Sequence, residues 1–266
     1  MAFSGEQEVV TSRSNARVKQ LRAAFAGQAR LSGGLVAIEG EHLLDEALRS
    51  GMVLKTVFVS ERRDAPGWLP RGVEVVRLAS DVLQSCVETQ TPQGVAALLV
   101  PPVGNVTQML RGTPLILIAV GLQDPGNLGT LIRSAEAFGA TGVLTTPGTV
   151  SAWNQKAIRA SAGSVFRVPL AVAETDQMRE LEAFGVRLLA AMPEEAVAIS
   201  EADLTGPVAL LIGNEGAGLS EDWVRMADER VMIPCPGPVE SLYAAVAGLL
   251  LLYEVSRQRG SAVAGR

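Results

Sequence analysis

The sequence predicts an α/β protein of two domains: a small α/β domain over residues 1–105, and a larger one over 106–266 built on a parallel sheet. Three observations lead to this prediction. The chain has 266 residues, 48% of them hydrophobic, which is enough for two cores. In its second part, continuous apolar strands alternate with helices, as in a parallel sheet covered on both faces. Between the two parts lies the stretch 101–105, which is rich in helix and strand breakers and lacks periodicity.

In the first part, short helices alternate with short strands. Leu43, Leu44, Ala47 and Leu48 recur at helical spacing, and apolar runs rich in β-branched residues indicate strands. The predicted helices are 15–26, 41–49 and 81–87, and the predicted strands are 35–38, 54–59, 73–78 and 95–100.

The second part alternates regularly. Its predicted strands are 115–120, 142–144, 165–170, 186–190, 208–212 and 230–233, and its predicted helices are 128–138, 154–162, 176–184, 220–226 and 241–257. Ligands of such sheets lie at the carboxyl ends of the strands. The loops after Val120, Ile212 and Ile233 are therefore expected to carry the function.

Composition excludes several classes of protein. The longest apolar stretch, 244–253, is far shorter than the roughly 18 residues of a membrane span, and the first residues lack the order of a signal peptide, so a cytoplasmic protein is expected. Cys86 and Cys235 are far apart and His42 is the single histidine, which predicts neither a metal site nor a disulfide framework. Both cysteines are expected to be buried.

The charge is unevenly distributed. The net charge of −5 argues against nucleic acid, but the excess of acids lies entirely in residues 106–266, with 12 basic and 17 acidic side chains. Between Val9 and Ile38 there are five basic residues and no acid; they are Arg13, Arg17, Lys19, Arg22 and Arg30. This basic run fits RNA contact, and it also fits a solvated helix face.

The loop after the first strand of the second part leads into a helix. Asn127 is expected to cap this helix and Gly139 to end it. Arg133 stands among apolar neighbours, where an arginine is usually paired or aimed at an anion.

The second loop contains Gly213, Gly216 and Gly218 at the end of an apolar strand, where glycines let the backbone approach a ligand. Its spacing differs from a GxxxxGK[ST] phosphate loop, which would need a lysine, and from GxGxxG. In the third loop, three prolines precede the last helix, which Ser241 is expected to cap. Each loop taken alone also fits a plain structural turn.

Taken together, the loops resemble the three motifs of the SpoU-type branch of the SPOUT superfamily, the S-adenosylmethionine-dependent RNA ribose 2′-O-methyltransferases. The matching positions are Asn127, Gly129, Arg133, Phe138 and Gly139, then 213–218, then Ile233, Pro234, Ser241 and Leu242. The segment 156–166 also looks like the family. Residues 11–48 are similar to the substrate-binding domain that often precedes it, notably at Ser14, Asn15, Val18, Lys19, Glu39, Gly40 and 46–48.

The resemblance implies a fold and partners. It implies a trefoil knot in the carboxy-terminal domain, a preceding small domain of a type found in ribosomal proteins, and a homodimer whose active site is shared between subunits. S-adenosylmethionine is the implied cofactor. RNA is the implied substrate, with ribosomal RNA preferred and transfer RNA possible.

The resemblance also implies roles for particular residues. Arg133 would activate the 2′-hydroxyl, and the other implied catalytic residues are Asn127, Glu215 and Ser241. The cofactor-binding residues would be Gly213, Asn214, Ile233, Leu242 and Thr145. Arg13, Arg17 and Lys19 would contact the RNA.

Two positions depart from the family pattern. Tyr243 stands where the family usually has asparagine, and Ala16 follows Asn15 where proline is usual. The first departure leaves open a catalytically inactive RNA-binding or ribosome-assembly factor with the same fold, although Arg133 and Glu215 are retained. An ordinary nucleotide-binding α/β protein is disfavoured by the missing phosphate-loop lysine.

Overall fold

The computed structural model describes residues 8–89, 91–238 and 242–264. The chain forms two compact units, Met1–Pro102 and Val103–Arg266. Within the described residues, no helix has both the length and the apolar character needed to cross a membrane.

Unit 1 is a four-stranded mixed sheet with helices. The sheet order is β1-β4-β2-β3, with β4 antiparallel to both neighbours and β2 parallel to β3. Its elements are α1 (Ala16–Phe25), α2 (Ala29–Ser32), β1 (Val36–Glu39), α3 (Glu41–Arg49), β2 (Leu54–Ser60), β3 (Glu74–Leu78), α4 (Ser80–Gln84) and β4 (Val95–Leu99).

Helix α1 shows how the sequence builds this unit. Asn15 caps it by accepting a hydrogen bond from the Arg17 backbone N–H, at 2.8 Å. Val18, Leu21 and Phe25 recur at helical spacing, are buried, and join a core that includes Phe58 and Leu98. The basic side chains of α1 are left on its outer side.

Unit 2 contains a seven-stranded sheet in the order β7-β6-β5-β10-β8-β11-β9. Every pair of neighbouring strands is parallel, which confirms the predicted parallel sheet. The elements are α5 (Val106–Met109), β5 (Leu115–Ala119), α6 (Pro125–Ala137), β6 (Gly142–Thr145), α7 (Gln155–Ser161), a 3₁₀ turn (Ser164–Phe166), β7 (Leu170–Val172), α8 (Thr175–Ala183), β8 (Arg187–Ala191), β9 (Val197–Ala198), β10 (Val208–Ile212), α9 (Glu221–Met226), β11 (Glu229–Met232) and α10 (Ala244–Ala264).

The strand order places the site. Strands β6 and β7 lie on one side of β5, whereas β10 and the strands beyond it lie on the other. Connections therefore diverge between β5 and β10, and a crevice opens there at the carboxyl ends of the strands.

Three predicted features of unit 2 were wrong. Where a strand was predicted at 165–170, residues Ser164–Phe166 form a 3₁₀ turn, because Gly163 takes a left-handed φ of 89° and starts a tight turn. Val165 and Phe166 look like part of a strand because this turn is buried and therefore also apolar. Helix α6 is capped by Asp124 rather than Asn127, since Pro125 suits the first helical position. Cys235 is exposed, in contrast to the buried Cys86. The predicted cap Ser241 lies outside the described residues, and α10 begins at Ala244.

Arg259 anchors the last helix. Its guanidinium donates to four backbone carbonyls: Thr113 at 2.9 Å, Pro114 at 2.9 Å, Leu204 at 3.1 Å and Gly206 at 2.7 Å. Burial lowers the pKa of Arg259. The side chain therefore ties α10 to the segments that precede β5 and β10.

We expect Arg259→Ala to lower the free energy of unfolding by about 2 kcal/mol, because carbonyls that accept from a partly buried cation lose their donor. Urea denaturation monitored by circular dichroism measures this loss. Arg225→Ala is the matched control, since the one interaction of the Arg225 side chain with any described residue is an exposed ion pair with Asp222 on α9. Equal losses in the two variants would contradict the anchoring role.

Candidate active site

The loops after β5, β6, β10 and β11 all leave the carboxyl edge of the parallel sheet. A cavity of about 550 Å³ opens between three of them, which is within the usual size range of ligand sites. Its lining residues are Val120, Gly121, Thr146, Pro147, Asn214, Ala217, Gly218, Ser220 and Trp223. The cavity lies in the crevice between β5 and β10 where a ligand is expected.

Asn214 organises the loop after β10. Its side-chain oxygen accepts hydrogen bonds from the backbone of Gly216, at 2.9 Å, and of Ala217, at 3.1 Å. Its amide nitrogen donates to the Gly121 carbonyl at 2.7 Å. This one side chain therefore shapes the glycine loop and ties it to the end of β5.

The glycines of this loop have different roles. A Cβ on Gly213 would lie 2.5 Å from the Leu219 nitrogen and 2.6 Å from the Gly218 oxygen, both backbone atoms. The space beside Gly213 is thus occupied by the loop's own chain. Gly218 has φ +67°, whereas a Cβ on Gly216 would meet only the Asn214 side chain, at 3.7 Å. Only at Gly213 does close packing of the chain require glycine.

Glu215 joins the second loop to the first. Its carboxylate accepts hydrogen bonds from the backbone of Gln123 at 3.2 Å, the backbone of Asp124 at 3.3 Å and the Asn127 amide at 3.0 Å. Burial acts to raise the pKa of Glu215, but these hydrogen bonds outweigh it and hold the pKa below its ordinary value. Near neutral pH the Glu215 carboxylate is therefore ionised, and it already accepts three hydrogen bonds. This suits a positioning role rather than proton abstraction.

Asp124 and Lys156 form a second link that the sequence analysis missed. Asp124 caps α6 by accepting from the backbone of Gly126 and Asn127, and Lys156 donates to its carboxylate at 2.9 Å. The hydrogen bond from Lys156, helped by that from Asn127, lowers the pKa of Asp124. The signal was present in the sequence, because aspartate before proline is typical of a helix start.

Arg133 lies on α6 with its side chain exposed, while Ile132, Ser134 and Ala135 beside it are buried. Its guanidinium makes no hydrogen bond or ion pair with any residue that the structure describes. The sequence left two possibilities for this arginine, a partner within the chain or an external anion, and no partner is found among the described residues. Its charge is available to an external anion.

The predicted cofactor residues are distributed around the carboxyl edge. Asn214 lines the cavity, and Gly213 and Thr145 lie next to lining residues at the ends of β10 and β6. Ile233 directly follows β11, and Leu242 lies two residues before α10; both are half-buried. Two lining residues, Gly121 and Trp223, were not predicted from the sequence. The backbone N–H of Gly121 donates to the hydroxyls of Thr146 at 3.1 Å and Thr149 at 3.0 Å.

In unit 1, two of the three predicted RNA contacts already have acidic partners. Arg13 pairs with Asp81 at 3.3 Å and Arg17 with Glu74 at 2.8 Å, all four side chains being more than 40% exposed. Lys19 is exposed and forms no ion pair with any described residue. Exposed pairs of this kind are worth about 0–1 kcal/mol, so a phosphate can displace the acids.

Comparison with known proteins adds independent information. Residues 114–253 match the SpoU rRNA Methylase family, and residues 15–97 match an MRM3-like substrate binding domain. The chain is 33% identical to the 23S rRNA (guanosine(2553)-2′-O)-methyltransferase RlmP of Bacillus subtilis, over 92% of this chain and 98% of that protein.

Solved structures are similar over nearly the whole chain. The SpoU methyltransferase AviRb of Streptomyces viridochromogenes, crystallised with S-adenosylmethionine, has a TM-score of 0.83 and 31% identity, covering 93% of this chain and 99% of its own. An rRNA methyltransferase of Sinorhizobium meliloti with the same cofactor has a TM-score of 0.84 and 30% identity, covering 96% and 99%.

Proposed function

Because the chain belongs to the SpoU rRNA methylase family, we propose that it transfers a methyl group from S-adenosylmethionine to a ribose 2′-hydroxyl of RNA, and that its substrate is 23S ribosomal RNA. The observation that carries the proposal is the contact of Glu215 with Asn127, at 3.0 Å, beside the cavity. This contact joins two of the three motifs at the edge of the sheet where a ligand is expected.

The cavity fits the cofactor by its chemistry. It is bordered by backbone at Gly121, Ala217 and Gly218, so that peptide groups are within reach of a nucleoside. When bound, S-adenosylmethionine supplies an activated methyl group on a sulfonium. Asn214 holds the glycine loop in the shape that borders the cavity, and Ile233 and Leu242 are proposed to complete the binding site.

Arg133 is the proposed catalytic residue. A 2′-hydroxyl is a poor nucleophile, and its attack requires a base or a field that stabilises the alkoxide as it forms. Arginine is essentially always protonated, so Arg133 would act electrostatically, directly or through an RNA phosphate. Its exposure without a partner among the described residues supports this role.

Glu215 and Asn127 would position the start of α6 and so hold Arg133 in place. The Asp124 cap, with its hydrogen bond from Lys156, supports the same helix start. Ser241 is proposed to complete the site by hydrogen bonding.

The test of the function is methylation of total RNA from a strain lacking this gene, followed by mapping of 2′-O-methyl groups. A new 2′-O-methyl in 23S rRNA is expected, and it should depend on added cofactor. If transfer RNA were methylated instead, the proposed substrate would be wrong and the proposed reaction would stand. Cofactor binding without any methylation would support the inactive RNA-binding factor that Tyr243, 79% exposed, left open.

The basic run of α1 is proposed to bind RNA phosphates. Neutralising Arg13, Arg17 and Lys19 should weaken RNA binding and lower the slope of log affinity against log salt by about 0.7–0.9 for each phosphate that is no longer neutralised. Filter binding over a range of salt measures the slope. Arg179→Gln on α8, an exposed arginine of unit 2, is the control. An unchanged slope in the triple variant would assign the run to a solvated surface.

A homodimer through α10 is also proposed. One side of this helix is buried at Leu251, Leu252 and Val255, whereas the other exposes apolar side chains: Val246 (43%), Leu249 (37%), Leu250 (36%) and Tyr253 (50%). The Tyr253 ring contacts Phe138 at the end of α6, with centroids 5.8 Å apart. The exposed strip therefore continues towards the helix that carries Arg133.

Sedimentation velocity at micromolar concentration should show a dimer, and Leu249→Glu should convert it to a monomer, because a charge would be buried in an apolar interface. Val172→Glu, at an apolar position on β7 that is 47% exposed, should leave the dimer intact. A parent protein that sediments as the 27.9 kDa chain would rule out this interface.

We propose the trefoil knot as well. One feature supports it: after β11 the chain crosses back, so that α10 packs on α6 and on β10. In the sheet, β10 is separated from β11 by β8. The cytoplasmic location stays a prediction.

A further inference from the structure

The loop between β2 and β3 presents a tryptophan that the core of unit 1 does not use. Two successive turns shape the loop, with Leu69 N–H donating to Pro66 at 3.2 Å and Val73 N–H donating to Pro70 at 3.5 Å. Trp68 is the third residue of the first turn and is 40% exposed. We call residues 61–73 the Trp68 loop.

The Trp68 loop is held at several points. Arg63 donates to the Glu41 carboxylate and to the Gln93 carbonyl, both at 2.8 Å, and Arg77 donates to the Arg63 carbonyl at 3.2 Å. The hydrogen bond from Arg63 lowers the pKa of Glu41. Through Arg63, the start of the Trp68 loop is therefore tied to α3 and to the segment before β4.

Two cations of the Trp68 loop stay uncommitted. Arg63 and Arg77 are neutralised by Glu41 and Asp64. Arg62 and Arg71 are exposed, and no ion pair involving either is found among residues 8–89 and 91–238. An exposed aromatic ring with an arginine on each side of it in sequence, neither arginine having an ion pair among the described residues, is a combination that single-stranded nucleic-acid sites use.

We propose that the Trp68 loop is an RNA contact at which the indole stacks on an unpaired base while Arg62 and Arg71 engage phosphates. The proposal rests on the proposed function for the identity of the RNA. A protein partner fits the loop less well. After Trp68 and the half-buried Leu69, the exposed residues Pro70, Arg71 and Gly72 offer no large apolar side chain. The apolar surround of a protein hot spot is missing from this part of the described chain.

The test measures binding of a fluorescein-labelled single-stranded RNA of about ten nucleotides to the full chain, by fluorescence anisotropy and without cofactor. Trp68→Ala should weaken binding about 10-fold, because stacking of one base is removed. Trp68→Phe should retain most of the affinity, since it keeps an aromatic face. The same sequence as a duplex should bind both variants as it binds the parent, because its bases are already stacked.

Val53→Ala is the matched control. Val53 is 56% exposed and immediately precedes β2, at the opposite end of that strand from the Trp68 loop, so its truncation should leave RNA affinity unchanged. Thermal unfolding and cofactor titration of each variant report whether its fold is intact. Charge reversal is tested by the double variant Arg62→Glu with Arg71→Glu. It should bind single-stranded RNA more weakly than the parent, and this difference should grow as the salt concentration is lowered.

The outcomes separate this inference from the proposed function. If the parent methylates RNA while Trp68→Ala binds the oligonucleotide as tightly as the parent, the loop is not an RNA contact and the function stands. If the parent methylates no RNA but Trp68→Ala still loses oligonucleotide affinity, the function fails and the RNA contact stands. Equal losses in Trp68→Ala and Trp68→Phe would overturn stacking.

Discussion

Arg133→Ala is expected to lower the single-turnover methylation rate by about 10²–10³-fold, the range for removal of one preorganised electrostatic interaction. The affinity for S-adenosylmethionine should be nearly unchanged, because Arg133 lies on α6 and is not among the residues that line the cavity. Rapid-quench methylation at saturating RNA and cofactor measures the rate, and calorimetry measures the affinity.

Arg133→Lys should recover little of the rate, because a point charge does not reproduce a planar fork of donors. Arg179→Ala is the control, since this arginine is exposed on α8 and pairs only with Asp176 among the described residues. If Arg133→Ala instead lost cofactor binding while its rate at saturation held, Arg133 would be a structural or cofactor residue. Glu215 and Tyr243 would then be the next candidates for the chemistry.

Gly213→Val is expected to weaken S-adenosylmethionine binding by about 100-fold or more, since the loop cannot keep its shape around an added side chain. The Cβ alone would lie 2.5 Å from the Leu219 nitrogen, and a backbone atom cannot move aside as a side-chain tip can. Calorimetric titration with the cofactor measures the reduced affinity, and circular dichroism verifies the fold.

The paired variants Gly213→Ala and Gly216→Ala separate two explanations. If glycine is needed at 213 for the packing of its own loop, Gly213→Ala should be impaired and Gly216→Ala close to the parent, because a Cβ at Gly216 has space. If both lost binding equally, the glycines would instead be making room for the ligand, as the sequence alone suggested.

The sheet of unit 2 was predictable because its strands are continuous apolar runs. Val208–Ile212 is buried at every position and was predicted at its observed bounds. The short 3₁₀ turn at Ser164–Phe166 was not, because an apolar run of a few residues looks the same in a strand and in a buried turn. The order of the strands was equally inaccessible, since it depends on pairing between distant segments.

For the site, sequence patterns identified residue types but not their partners. Glu215 was assigned to the site through family resemblance, yet its contact with Asn127 spans 88 residues of sequence and only the fold brings the two together. Asp124 was missed because the cap was assigned to Asn127, three residues later. Trp68 carries no motif, and its significance came only from its exposure on an ordered loop.

The anchoring of Arg259 has a consequence for how the chain is made. Its carbonyl partners at Thr113 and Pro114 are 146 and 145 positions earlier in the sequence. Likewise, β5 can pair with its neighbour β10 only after β10 has been synthesised. Unit 1, whose sheet closes when β4 pairs with β1, holds all its strands before residue 102. During synthesis unit 1 should therefore fold first, while unit 2 stays open until its last helix leaves the ribosome. The unit that is proposed to contact RNA would then form before the methylase unit.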